Sequence, residues 1–395
     1  MGTGLVVLLS ILLGVQIVTT ELYLPALPRL TQNLGAPPLQ AQFTLTAMLL
    51  AFGVSQLVWG PLSDRFGRRP ILIVGLTAHT IASIGCVLAP SMAALITWRG
   101  VQGAAMGAAV MCARAIVRDL YTPAQGARVM SFGFTGVGVV ACISAPLGGF
   151  LADLLGWRET LGVVALFGAC ALALVCLRFL ESLPPQRRAP LNVASVTSTW
   201  ASIVAHPTFR ANAALTVATY GGQFTFLATS SFVFLQVLGL TRTEFGLAIA
   251  ATALVYIGGT FLCRRMLPRM GVRRVVAWAG AASLLAGTSM AVLAFAGVRS
   301  PWAILLPHCL YMAAHGTHQP CGQSGCVSPF PRAAGAASAV NGFLMMITAF
   351  GIGGWVGWRM DGSVFVLVNG VWFWSACVAA VAWTLIQRDG ELART

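Results

Sequence analysis

The chain has 395 residues, of which 57% are apolar and only 9% charged, and its mean hydropathy is +0.83. A soluble domain carries about 25% charged residues, so a soluble globular fold is excluded and an integral membrane protein is expected. All 24 basic residues are arginine, against 10 acids, for a net charge of +14; because they stand in short gaps between apolar runs, they orient helices and meet anionic lipid, and nucleic acid is not expected as a partner.

At about 20 apolar residues per transmembrane helix, apolar runs fall in chain order near 4–25, 40–60, 70–90, 92–113, 128–151, 160–180, 211–237, 245–263, 273–297, 301–320, 335–357 and 363–386. The first begins almost at residue 1, without the charged region and short cleavable core of a signal peptide, and is expected to be the first span. The tenth is expected to break at Gly316, Pro320 and Gly322. The fold predicted is therefore all-α, with twelve transmembrane helices. The longest polar interruption, from Glu181 to Arg210, divides the spans six and six. This predicts an N-terminal bundle over 1–180, a cytoplasmic linker over 181–210, and a C-terminal bundle with a short tail over 211–395.

Counting arginine in alternate gaps fixes orientation. One side holds Arg29, Arg158, Arg242, Arg299 and Arg359, while Arg99 and Arg114 lie within the fourth span. The remaining seventeen, Arg187, Arg332 and Arg394 among them, share the other side. The positive-inside bias puts both termini in the cytoplasm. Of the ten cysteines, Cys86, Cys112, Cys142, Cys170, Cys176, Cys263, Cys309 and Cys377 sit inside apolar runs and read as small hydrophobes. No P-loop, nucleophile elbow or HExxH pattern occurs, so neither an enzyme nor a cofactor is expected.

The gap after the second span reads Gly60-Pro61-Leu62-Ser63-Asp64-Arg65-Phe66-Gly67-Arg68-Arg69-Pro70. Glycines allow close approach and a turn, and Asp64 pairs with arginine or caps a helix end. Such ion pairs form in one conformation and break in another, a latch built from Gly60, Asp64, Arg65, Gly67, Arg68 and Arg69. This segment resembles the loop signature of the major facilitator superfamily. The second half repeats a basic gap from Arg264 to Arg274, keeping Gly271 but with Pro268 where the acid would stand, a weak internal symmetry of the kind found in secondary transporters.

In the fourth span, Arg99-Gly100-Val101-Gln102-Gly103 resembles the superfamily's second motif, whose arginine is linked to proton transfer; an arginine this deep needs a partner or water. The fifth span carries Gly133, Gly136 and Gly138, then Ala145-Pro146-Leu147-Gly148-Gly149. It is similar to the motif of the exporter branch, with Ala145 replacing the usual glycine. Thr19-Thr20-Glu21-Leu22-Tyr23-Leu24-Pro25-Ala26-Leu27-Pro28, Ala113-Arg114-Ala115-Ile116-Val117-Arg118-Asp119-Leu120 and Gly335-Ala336-Ala337-Ser338-Ala339 resemble the bicyclomycin and chloramphenicol resistance (Bcr/CflA) branch of drug:proton antiporters, where the position of Glu21 is usually aspartate.

The resemblance implies two six-helix bundles around a cavity open alternately to either side. It implies export of small hydrophobic or cationic drugs driven by the proton gradient, by a monomeric chain in the bacterial inner membrane whose partners are substrate, protons and lipid. Glu21, the only acid placed inside a span, is the expected proton carrier, with Arg99 beside it. Tyr23, Gln102, Tyr220, Gln223, Phe224 and Phe226 are candidates for the substrate cavity, since aromatic faces give shape-tolerant and cation-π contact. His315, His318, Cys321 and Cys326 offer soft-metal ligands, but with Pro320 expected to interrupt helical spacing no metal site is predicted. An exporter of an amino acid, purine or siderophore, or a non-transporting receptor on the same fold, remain alternative readings.

Overall fold

A computed structural model describes residues 3–121, 123–188, 193–331 and 333–390. Pro190, Arg332, Arg394 and the expected tail beyond 390 lie outside the described residues. Every regular element is helical: α1 (Thr3–Glu21), α2 (Leu27–Asn33), α3 (Pro38–Phe66), α4 (Arg68–Val87), α5 (Met92–Leu120), α6 (Pro123–Leu154), α7 (Trp157–Arg178), α8 (Val193–Ala205), α9 (Pro207–Phe232), α10 (Arg242–Phe295), α11 (Pro301–Val327), α12 (Ala334–Arg359), α13 (Phe365–Trp383) and α14 (Leu385–Asp389). Among the described residues twelve spanning helices result: α1, α3 to α7, α9, two arms of α10, and α11 to α13.

The helices are apolar outside and polar inside. Leu88, Leu166, Leu177, Phe261 and Leu285 are exposed, while Gln56, His79, Ser83, Arg99 and Gln102 are buried. That arrangement suits hydrocarbon as solvent, where backbone polar groups must be satisfied within each segment. Among the described residues nine helices are long and apolar enough to cross a membrane, the 54-residue α10 counting as one. The long helices missing from that set are α9 and α11, whose threonines, serines, glutamines and histidines lower their hydropathy.

Two units divide the chain. One comprises Met1–Val196 with Arg242–Leu247, the other Thr197–Thr241 with Ala248–Thr395. In unit 1, α5 packs on α3 and α4, α4 on α7, and α1 on α6; in unit 2, α9 packs on α11, α12 and α13. The expected linker 181–210 contains α8, and α9 starts inside it at Pro207.

Three elements differ from the sequence reading. The tenth run does not break: α11 passes through Pro307, Gly316, Pro320 and Gly322 without interruption, because neighbouring helices and side chains can satisfy backbone groups that proline frees. The eighth and ninth runs are two helices that meet at a kink at Gly271, with φ 73° and ψ 164°, so the basic gap expected between them closes to one residue. The basic gap after the second span shrinks likewise to one residue, Gly67, with φ 103° and ψ 162°. Both conformations are ones that an L side chain rarely adopts, so the internal symmetry extends from the arginines to the backbone. Where α12 meets α13, the Ser363 hydroxyl and backbone N–H donate to Asp361 and hold its carboxyl below the usual carboxylate range. That turn is therefore complete at neutral pH and is lost only as acid protonates Asp361.

Candidate functional site

Arg99 is fully buried in the middle of unit 1. Its Nη1 donates to Gln102 Oε1 at 2.7 Å and to the Thr19 carbonyl at 3.2 Å, its Nε to the Thr44 carbonyl at 3.4 Å, and the guanidinium lies 4.4 Å from the Tyr23 ring centroid. Gln102 passes the network on, donating to Ser83 Oγ at 2.7 Å, and Ser83 donates to the His79 carbonyl. His79 Nε2 meets Thr19 Oγ1 at 3.0 Å. The Tyr23 hydroxyl donates to Thr44 Oγ1 at 2.5 Å, because the threonine proton is committed to the Ala41 carbonyl. Four helices, α1, α3, α4 and α5, are thus tied around one cation. A central arginine costs about 2.5–3.5 kcal/mol to insert; carbonyls and an aromatic face offset that without a carboxylate. One donor, Nη2, has no partner.

Sequence reasoning found Arg99, Gln102 and Tyr23 but missed Thr19, Thr44, His79 and Ser83. The four-residue spacing of His79 and Ser83 in an apolar run was the available signal, since it puts both on one face of a helix. Tyr23 and Gln102, expected to line a cavity, are fully buried with their polar atoms engaged inside this network.

Glu21 ends α1, and its Oε2 is buried with no partner. Among the described residues no ion pair or hydrogen bond joins it to Arg99, which turns instead to the Thr19 and Thr44 carbonyls and Gln102. Its neighbours Val18 and Leu22 pack on Val164, with Val140, Val163 and Phe167 around them. A half-buried acid with one buried, unpartnered oxygen and a buried, unpartnered arginine donor therefore stand in one unit. Here α6 comes close to α1, since a Cβ at Gly148 would collide with the Leu22 carbonyl. Gly148→Ala is expected to force backbone apart beside Glu21, lowering stability by about 1–3 kcal/mol, measured as a fall in thermal midpoint of the purified protein.

The rest of this α6 motif packs on the segment Arg242–Leu247. Gly149 faces the Arg242 carbonyl, Gly246 faces the Ala145 carbonyl and Pro146, Arg242 Nη1 pairs with Asp153 Oδ1, and Thr243 Oγ1 donates to Asp153 Oδ2 at 3.2 Å.

Of the residues expected to form the latch, Asp64, Arg68 and Arg69 come together around Gly67. Arg68, only 1% exposed, pairs with Asp64 at 2.7 Å and with Asp119 at 2.8 Å, and its Nη1 donates to Ser63 Oγ at 2.7 Å. Arg118 reaches Asp64 at 3.2 Å. Glu181 accepts the backbone N–H groups of Arg68 and Arg69, at 2.9 and 3.1 Å, and so caps the positive end of α4. A Cβ on Gly67 would collide with the Glu181 carboxylate. Arg69 Nη2 donates to the Cys176 carbonyl, whereas Arg65 is exposed over Phe66 and Gly60 meets only Met111. Asp119, Glu181 and Ser63 are members the sequence reading did not assign, since two of them lie 50 to 120 residues away along the chain. Glu181→Gln removes the charge from a helix N-terminus and is expected to cost about 1 kcal/mol, measurable by chemical denaturation of the purified protein. At Gly271 the corresponding turn has open space instead of a carboxylate and is held by Gln387 Nε2 donating to the Arg273 carbonyl.

In unit 2, Tyr220 stacks on Phe224, Phe226 lies against His308 with ring centroids 3.5 Å apart, and Gln223 Oε1 is buried without a partner. The four soft-ligand candidates do not converge. His315 Nδ1 meets Thr219 Oγ1, His318 Nε2 the Val276 carbonyl, Cys321 Sγ approaches Cys263 Sγ at 3.7 Å, and Cys326 Sγ donates to the Phe209 carbonyl. The proline argument used against a metal fails because α11 is continuous; what separates these side chains is their distinct partners.

The Major Facilitator Superfamily model matches residues 9–354. Multidrug resistance protein D of Escherichia coli (strain K12) is 28% identical over 347 residues, 88% of this chain and 86% of that protein. The chloramphenicol resistance protein of Pseudomonas aeruginosa is 29% identical over 328 residues, 81% of this chain and 75% of that protein. The chain spans 61% of the length of the uncharacterized MFS-type transporter YdgK of Bacillus subtilis (strain 168), which is 28% identical over 62% of this chain. Among solved structures a D-xylose-proton symporter superposes with a TM-score of 0.75, covering 96% of this chain and 97% of that one; at 16% identity the likeness is one of fold.

Proposed function

We propose that this chain, which belongs to the Major Facilitator Superfamily, exports small hydrophobic or cationic drugs from the cytoplasm in exchange for protons, by alternating access. The observation that carries the reading is that Glu21 Oε2 and Arg99 Nη2, in the same unit, are both buried without a partner. A buried polar atom without a partner is costly, and a transport cycle supplies the missing partners in turn. Relatives named for multidrug, bicyclomycin and chloramphenicol resistance support drugs as the cargo.

In the proposed cycle Glu21, as carboxylate, holds the loaded state, and a proton arriving from outside displaces the drug. Release of that proton to the cytoplasm restores the site. Arg99, tied to Thr19 two residues before Glu21, transmits the change to α3, α4 and α5, and the Arg68 cluster opens or closes as the states alternate. The chain works as a monomer in the bacterial inner membrane with both termini cytoplasmic, an orientation supported by the arginine asymmetry.

Everted vesicles with an acidic interior test the reading. Addition of ethidium or chloramphenicol is expected to raise interior pH as drug enters. Drug uptake with no proton movement contradicts it.

A further inference from the structure

Three of the chain's five histidines stand on α11, at positions 308, 315 and 318. The spacing of seven residues puts His308 and His315 on one face, with Tyr311 between them. All are buried, His308, Tyr311 and His318 completely. Phe226 stacks on His308 at 9° with ring centroids 3.5 Å apart, and Tyr311 lies nearly parallel to His308 at 10° with centroids 5.8 Å apart. Thr219 of α9 fixes the rest of the column: its Oγ1 meets His315 Nδ1 at 2.8 Å, and its carbonyl accepts the Tyr311 hydroxyl at 2.8 Å. Yet neither ring nitrogen of His308 has a hydrogen-bond partner.

Filling space would need only an apolar ring at 308. An imidazole stacked on an aromatic face, with both nitrogens left without a partner, can instead take a proton, because the face attracts positive charge and offsets part of the cost of burying it. The acid content of unit 2 sharpens this. None of the chain's ten acids lies in α9, α11, α12 or α13, so a proton entering these helices has the α11 imidazoles as its acceptors of near-neutral chemistry. The other titratable groups against the column are Tyr256 of α10 beside His315, Cys263 of α10 beside Cys321, Cys377 of α13 near Tyr311, and His318 on α11 itself. Among the described residues no carboxylate or guanidinium makes a hydrogen bond or ion pair with His308, Tyr311 or His315. Gln223, one turn from both Thr219 and Phe226 on α9, leaves its Oε1 unpartnered and supplies a neutral acceptor on the same helix face.

We propose that the His308–Tyr311–His315 column is a second proton-binding site of this protein, lying wholly in unit 2 and filled independently of Glu21. Hydronium delivers a proton to the lone pair of one open His308 nitrogen, giving imidazolium and water, and the same N–H bond breaks on release. Phe226 stacks on the cation, and Thr219, bonded to both Tyr311 and His315, keeps the column in register. The inference rests on the reading of the chain as proton-coupled, but its site and its test are separate from Glu21.

The test is nitrogen-15 spectroscopy of the histidine-labelled full chain in lipid nanodiscs, between about pH 5 and 8, with no drug present. The wild type is expected to show one histidine passing from the neutral to the imidazolium pattern that disappears in His308→Gln and persists in Glu21→Gln. A His308 ring that stays neutral throughout overturns the inference and leaves the reading of Glu21 untouched. Ethidium uptake into everted vesicles gives a second readout: His308→Phe keeps the ring stack but is expected to change the pH profile. A wild-type profile in that variant also overturns the inference.

Discussion

Glu21→Gln is expected to lower the initial rate of ethidium uptake into acid-interior everted vesicles by about 100-fold, equivalent to roughly 2.7 kcal/mol. The variant keeps the shape of the side chain and its packing beside Val18 and Leu22 but cannot take up or give back a proton. It therefore separates a coupling role from a structural one, and an unchanged thermal midpoint of the purified variant is the expected sign that the fold is kept. Glu21→Asp, which restores the acid with a shorter reach, is expected to recover activity to within about tenfold of wild type. An unimpaired Glu21→Gln protein would remove Glu21 from the mechanism.

Arg68→Ala is the second large effect. Arg68 is almost fully enclosed; its removal leaves Asp119, whose side chain is 9% exposed, with only Arg118 at 4.0 Å and the Ser182 hydroxyl at 3.3 Å, and leaves Asp64, which is 42% exposed, with Arg118 alone. Breaking a buried ion pair from one side costs about 3–5 kcal/mol because a charge is left uncompensated, and most of that falls on Asp119, since water rehydrates Asp64. A fall in thermal midpoint and a loss of transport are both expected. Arg68→Lys keeps the charge but loses the fork that serves Asp64, Asp119 and Ser63 together, so it is expected to recover less than half of the lost stability. A stable, fully active Arg68→Ala protein would show that the cluster around Gly67 is ornament.

What was legible in the sequence follows the range of the interactions involved. Twelve apolar runs, the single acid placed inside a span and the arginine inside the fourth span stand out because each violates or satisfies a local rule of hydropathy. Gly67 and Gly271 were readable as turns, though not as one-residue hinges, since that depends on helices continuing to within a residue of each glycine. Pro320 misled because proline is judged from an isolated helix, whereas α11 has neighbours that cover the freed backbone. The partners of Arg99 were beyond reach for a different reason. Carbonyls of Thr19 and Thr44 carry no side-chain signature, so the eye supplies a carboxylate where the fold uses backbone. Asp119 and Glu181 similarly become parts of the latch only after α5 and the end of α7 are brought to Gly67.

Proton release on drug binding tests the central claim most directly. The purified chain in nanodiscs, in weakly buffered solution near neutral pH, is mixed with ethidium while released protons are followed with a pH dye. By linkage, a drug that competes with a proton must expel it on binding. The account predicts release from the wild type, and a release smaller by one proton per bound drug in Glu21→Gln. Equal release from the two proteins, with ethidium bound by both, would contradict it.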